Sequence, residues 1–174
     1  MTFRDRIRRS KIHGEAEGYL ELGLPQHALT ALGRLGEEAD LDVHSLYLCG
    51  EALRSMDRHA EALRPLVQAA LAAPQNVHVW FALGWCYKRT GRIDLAIDSL
   101  ERALAAEPTE GLVHYNLACY WSLAGNKQRA LEYLSRALHI DPDFRELIDD
   151  EPDFDPLRWD PDFLALRDGS ETCS

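Results

Sequence analysis

Residues 77–110 read VHVWFALGWCYKRTGRIDLAIDSLERALAAEPTE, and residues 111–144 read GLVHYNLACYWSLAGNKQRALEYLSRALHIDPDF. Laid over each other without a gap, Leu83 meets Leu117, Gly91 meets Gly125, Ala96 meets Ala130, and Leu100 meets Leu134. Ala103 then meets Ala137, and Pro108 meets Pro142. One step back, in 43–76, the matching columns hold Cys49, Gly50, Ala62, Leu66, Ala69 and Pro74. A further step, in 9–42, gives Ala16, Tyr19, Gly23, Ala28 and Leu32, a weaker match in the same phase. Four in-phase repeats of equal length, without an insertion, predict a stack of similar small units.

Each repeat is expected to be a helical hairpin. In 77–110, Trp80, Leu83, Gly84 and Tyr87 recur at helical spacing; Gly91 interrupts, and Ile93, Ala96, Ile97, Leu100 and Leu104 resume the period. Glycine ends the first helix in a conformation few other residues tolerate. Proline near the end of the last three repeats closes the second helix, because its ring disfavours a helical residue before it. Small residues at the eighth position (Ala16, Gly50, Gly84, Ala118) and the twentieth (Ala28, Ala62, Ala96, Ala130) let paired helices approach closely. A lone hairpin cannot bury its apolar face, so the hairpins must stack.

The columns Trp80, Leu83, Gly84, Tyr87, Gly91, Ala96, Leu100, Ala103 and Pro108 resemble the tetratricopeptide repeat (TPR) family, over about residues 9–144. The first repeat departs from the pattern, with Glu15 where Leu is usual and Asp40 where Pro is usual. The resemblance implies an all-α fold, a right-handed α-solenoid of four hairpins (9–42, 43–76, 77–110, 111–144) followed by capping helices. Residues 145–167, RELIDDEPDFDPLRWDPDFLALR, are similar to the acidic end cap of small stand-alone bacterial members. Leu147, Phe154, Leu157, Trp159, Phe163 and Leu166 are expected to cover the last hairpin. Residues 1–8 are expected as a basic arm and 168–174 as a flexible tail.

At 100° per residue, positions 4, 7, 8 and 11 of each first helix face the core, and positions 2, 5, 6, 9, 12 and 13 point nearly opposite. In stacked hairpins of the family that second face lines the concave groove. The resemblance therefore assigns the groove to Tyr47, Leu48, Glu51, His78, Phe81, Ala82, Trp85, Tyr115, Asn116 and Cys119. The first helix of 77–110 is apolar nearly all round, which asks for a second cover over Phe81 and Trp85. Tyr47, Phe81 and Tyr115 share one column, and aromatic rows supply large apolar area with little rotamer entropy to lose. Three covers are open: a partner peptide, the chain's own C-terminal segment, or a second copy in a homodimer. Glu17, Glu51 and the acidic cap favour an apolar ligand carrying Lys or Arg.

Of the chain's 174 residues, 46% are hydrophobic and 28% charged, a globular balance that excludes wholesale disorder. A net charge of −10 opposes nucleic-acid binding, since phosphate would be repelled. Residues 141–174 hold 12 acids against Arg145, Arg158 and Arg167, whereas Arg4, Arg6, Arg8, Arg9 and Lys11 crowd the start. A solvated arm and a solvated cap are expected, and a head-to-tail or intramolecular attraction between the ends, screened by salt, is the alternative. Cys49, Cys86, Cys119 and Cys173 form no C-x-x-C pair, which fits buried thiols in a reducing cytosol. The longest apolar run, Val79 to Tyr87, is far short of a membrane span, so a soluble, cytoplasmic protein without membrane insertion is expected.

No phosphate-cradling loop, H-E-x-x-H or G-x-S-x-G is present. His44, His78 and Cys119 share the groove without forming a closed ligand set, so no metal and no cofactor are expected. The Lys/Asn/Arg clamp by which some relatives hold the carboxylate tail of heat-shock chaperones is missing in every frame. The expected function is a non-enzymatic interaction scaffold, an adaptor or chaperone-like module that is monomeric or weakly dimeric. A self-associating structural repeat protein is the alternative.

Overall fold

The computed structural model describes residues 2–36 and 41–169, and the chain forms two compact units, residues 1–91 and 92–174. Helices fall where the period puts them. First helices α3 (Val43–Arg54), α5 (Val77–Arg89) and α7 (Gly111–Leu123) each begin at the first position of a repeat. Second helices α4 (His59–Ala72), α6 (Ile93–Ala106) and α8 (Lys127–Ile140) keep the same interval from one to the next. The first repeat gives α1 (Phe3–Glu21) and a shorter α2 (Pro25–Leu32), which runs into a 3-10 turn at Gly33–Leu35.

The basic residues near the start are no separate arm. They continue α1, whose N-terminus is closed by a reciprocal pair: the Asp5 N–H donates to Thr2 Oγ1 and the Thr2 N–H donates to Asp5 Oδ2.

The turns repeat as the helices do. Gly23, Asp57, Gly91 and Gly125 occupy the same column of the four repeats, with φ of 69°, 57°, 75° and 75°. Beyond three of these turns, the N–H groups of Leu24, Arg58 and Asn126 donate to the carbonyls of Tyr19, Leu53 and Trp121 at 2.7–3.0 Å, which satisfies a carbonyl of each helix end. The second helices stop at Ala72, Ala106 and Ile140, two residues before Pro74, Pro108 and Pro142. Proline denies the preceding residue a helical conformation, and the common spacing follows.

The small columns lie where helices meet. Ala16, Ala28, Ala62, Ala96 and Ala118 are fully buried, and Gly50 and Gly84 are buried with them. In the N-terminal unit one cluster joins Ile12, Ala16, Ala28 and Leu32 to Leu48 and Ala52 of α3. A second joins Leu46, Ala62, Leu66 and Ala69 to Val79, Ala82, Leu83 and Cys86 of α5. Each large aliphatic side chain among them contributes about 1.5–3 kcal/mol.

In the C-terminal unit α7 packs on α6 and α8, and the acidic segment closes over it. That segment comprises a 3-10 turn (Pro142–Phe144), α9 (Arg145–Ile148), a 3-10 stretch (Pro152–Leu157) and α10 (Pro161–Arg167). Ile148, Phe154 and Phe163 are fully buried, with the two phenylalanine rings 5.2 Å apart. Two residues expected in this cover are not in it: Leu147 is 50% exposed and Trp159 87%. α9 is only four residues long, and its inward position belongs to Ile148 instead. The Arg158 guanidinium donates to the carbonyls of Ile148, Asp149 and Glu151, and Lys127 at the start of α8 pairs with Asp160 and Asp162 of the cap.

No helix among the described residues is long and apolar enough to cross a membrane. Asp40 and Cys173, and most of the expected tail, lie outside the described residues.

Candidate peptide-binding face

The ten residues assigned to the groove separate by unit and by exposure. In the N-terminal unit, His78 is exposed, and Tyr47, Glu51, Phe81 and Trp85 are half-buried. Tyr47 rests against both clusters of this unit, whereas Phe81 and Trp85 stand outside the cluster around Val79, Leu83 and Cys86. The Lys88 ammonium lies 5.6 Å from the centroid of the Trp85 ring, within cation–π range.

Leu48 and Ala82 are corrections. They are only 4% and 3% exposed, and each belongs to the cluster that ties its helix to the preceding hairpin. A helical wheel gives a first helix one buried side. In the stack α3 packs on α4 but also on α1 and α2, and α5 packs on both α3 and α4. The sixth position faces that earlier hairpin.

Tyr115 and Cys119 are corrections too, for a different reason. They are 4% and 1% exposed because the acidic segment covers them. The Tyr115 ring stacks on Phe144 at 5.1 Å and meets Phe154 edge-on at 5.7 Å. Within the C-terminal unit the chain therefore fills its own face at this rung. Asn116 is half-buried, and its side-chain amide donates to the carbonyl of Leu112 in its own helix.

The charges on the N-terminal face are already paired. Glu51 accepts two hydrogen bonds from Arg54, at 2.9 and 2.7 Å, and Glu17 lies 2.7 Å from His44 Nε2. Burial raises the Tyr47 phenol above its ordinary pKa, and the Glu51 charge adds to it.

A polar junction that the groove assignment did not foresee lies beside this face. Arg9, His13 and Glu17 follow one another at four-residue spacing along α1, which puts them on one side of the helix. Arg9 pairs with Asp42 at 2.7 Å, and His13 Nε2 is 2.7 Å from Ser45 Oγ and 3.6 Å from Asp42. The His13 and His44 rings meet edge-on at 4.7 Å. Burial works against ionisation of Asp42, but hydrogen bonds from Arg9 and from Ser45 outweigh it and hold the carboxyl at about 2. Burial also lowers the His13 imidazole, against the pull of Asp42. The spacing of Arg9, His13 and Glu17 was the available signal in the sequence.

Among the described residues, nothing on this face has the geometry of a catalytic nucleophile beside a base. Cys86 is buried, and burial pushes its thiol up to about 11, which makes it inert near neutral pH.

Family models described as tetratricopeptide repeat match residues 53–118 and 111–144. The chain belongs to the tetratricopeptide repeat family. Solved TPR proteins share its fold. A crystal structure of MamA is similar at 19% identity over 79% of this chain and 80% of that one, with a TM-score of 0.71. A MamA double mutant is 17% identical over 98% of both chains, with a TM-score of 0.72. YrrB, described as a TPR protein with an unusual peptide-binding site, is 21% identical over 80% of this chain and 72% of that one, with a TM-score of 0.71. No curated protein matches the chain. TPR repeats are typically non-enzymatic modules of protein–protein interaction, and membership supports that class of function here.

Proposed function

We propose that the N-terminal unit binds an apolar peptide segment of a partner protein across α3 and α5. Phe81 and Trp85 carry this proposal: two large rings, half-buried, on a helix whose opposite side packs against Leu46, Leu66 and Ala69. Rigid aromatic side chains gain contact area on binding at small entropic cost, and such residues dominate binding energy at interfaces. Tyr47 extends the apolar strip, and His78 offers a polar contact at its exposed margin. YrrB gives the TPR fold a precedent for holding a peptide.

A basic residue in the ligand has Glu51 and Glu17 to approach, but both are shared with Arg54 and His44. Apolar contact supplies the affinity in this scheme and charge only orients. The module acts as an adaptor or chaperone-like scaffold, and the step it performs is capture.

The test is a capture assay from native lysate with wild-type bait and with a Phe81→Ala/Trp85→Ala bait. The double variant should lose the partner at least tenfold while its helicity and melting temperature stay within a few degrees of wild type. Unfolding of the variant would place both rings in the core and end the proposal, as would undiminished capture. Light scattering at two concentrations decides whether a second copy occupies the face: a dimer that grows with concentration and is lost in the double variant would replace the partner peptide.

A further inference from the structure

A polar cluster lies within the C-terminal unit, among residues that take no part in the proposed peptide binding. Cys119 on α7, Glu151 just before the Pro152–Leu157 stretch and Asp153 within it bring one sulfur and two carboxylate oxygens within 4.8 Å of one another. The thiol is 1% exposed and the Asp153 side chain is buried. Tyr115 lies one helical turn before Cys119, and its enclosed phenol oxygen has no hydrogen-bond partner. The charged and ionisable groups acting on that oxygen are Cys119, Glu151, Asp153 and Arg158. A buried hydroxyl left without a partner costs about 1–3 kcal/mol, and here the charges of Glu151 and Asp153 and the ionisable Cys119 act on it.

We propose that Cys119, Glu151 and Asp153 form a binding site for a divalent cation of the zinc type, with the Tyr115 hydroxyl or a water completing four-coordination. The donor chemistry selects the cation. A thiolate with two carboxylates suits borderline-soft Zn2+ and disfavours Ca2+, which takes six to eight oxygens. Tetrahedral zinc, with bonds of about 2.3 Å to sulfur and about 2.0 Å to oxygen, needs ligand atoms about 3.3–3.5 Å apart. The three groups reach this by closing in about 1 Å, within the range of side-chain rotation.

The charge fits as well. Binding displaces the thiol proton to solvent, leaving one thiolate and two carboxylates against the dication. Arg158, which donates to the Glu151 carbonyl, is at hand to balance the remaining negative charge. Because two ligands come from the acidic segment and one from α7, the cation would fasten the cap to the helix it covers.

Cobalt(II) serves as the probe, because thiolate ligation gives a sulfur-to-cobalt charge-transfer absorption that oxygen and nitrogen ligands do not. Purified protein titrated with CoCl2 should show that band saturating at one equivalent. ZnCl2 should abolish it, and CaCl2 should leave it unchanged. Zinc should also raise the wild-type melting temperature by several degrees, since ligands of the folded state stabilise it by mass action.

Cys119→Ser should remove the band, and Glu151→Gln, which keeps a side-chain oxygen for the Asp153 N–H, should weaken cobalt binding at least tenfold. Circular dichroism checks that each variant folds; should Cys119→Ser unfold, Glu151→Gln and Asp153→Asn decide alone. No band at one equivalent, or a band that survives unchanged in the folded variants, overturns the site.

Discussion

Asp57 has φ 57° at the turn where the other three repeats have Gly23, Gly91 and Gly125. A side chain in the left-handed region costs about 1–2 kcal/mol, less for Asp and Asn than for most residues. Its carboxylate lies 3.4 Å from His59 but is 87% exposed, so that pairing offsets little. Replacing Asp57 with glycine relieves the strain and returns about 0.4–1 kcal/mol to the unfolded chain as backbone freedom. The balance predicts that Asp57→Gly stabilises the protein by about 0.5–1 kcal/mol, seen as a higher denaturation midpoint at unchanged slope. A lower midpoint would mean that Asp57 is held by its contacts and not merely tolerated. Glycine at 57 is what the other repeats call for, so the register of this turn was legible from the repeat even where the residue breaks it.

The helices and their ends were legible because glycine and proline act locally. A left-handed turn and an X-Pro step need no knowledge of what packs nearby, and the starts and stops of α5 to α8 follow from them, with α3 and the start of α4 placed by the repeat interval. The acidic segment was legible only as a cover. Its pieces are three to seven residues long, too short for a 3.6-residue period to show which side is inward, and so Leu147 was expected where Ile148 lies. Phe154 is the keystone of this segment, touching both Tyr115 and Phe163. Phe154→Ala should cost about 3–5 kcal/mol, as large aromatic truncations in packed sites do. Urea unfolding followed by circular dichroism measures it, and a loss below about 1 kcal/mol would show that the cap packs only loosely on α7. The same cover explains why Tyr115 could not be judged from its column. Its position on the wheel equals that of Tyr47 and Phe81, but its exposure is decided by Phe144 and Phe154, which lie beyond the end of α8.

Across the whole chain, the groove positions also define what the protein should refuse. A peptide ending in Glu-Glu-Val-Asp presents several carboxylates, and strong recognition of carboxylates requires charge-assisted bonds from Lys or Arg, or dense Asn donors. Stepping the clamp positions of the resembling family through the repeats gives His13, Glu17, Leu48, His78 and Ala82 in one frame, and Tyr47, Glu51, Ala82, Leu112 and Asn116 in the next. Neither frame holds a lysine or an arginine. The structure also withdraws several groups of the face from such a contact. Arg54 spends its guanidinium on Glu51 in a two-point contact, Asn116 donates to its own helix, and Leu48 and Ala82 are buried. A net charge of −10 repels an acidic peptide before contact, most strongly at low salt. An acidic tail peptide titrated into the protein should therefore give no saturable signal up to several hundred micromolar, by calorimetry or fluorescence anisotropy. An apolar peptide with one or two lysines should bind more tightly than its Glu-substituted counterpart, with the gap narrowing as salt is raised. Micromolar binding of the Glu-Glu-Val-Asp peptide would show that recognition uses cations other than those on the first-helix faces, and would move the binding site away from α3 and α5.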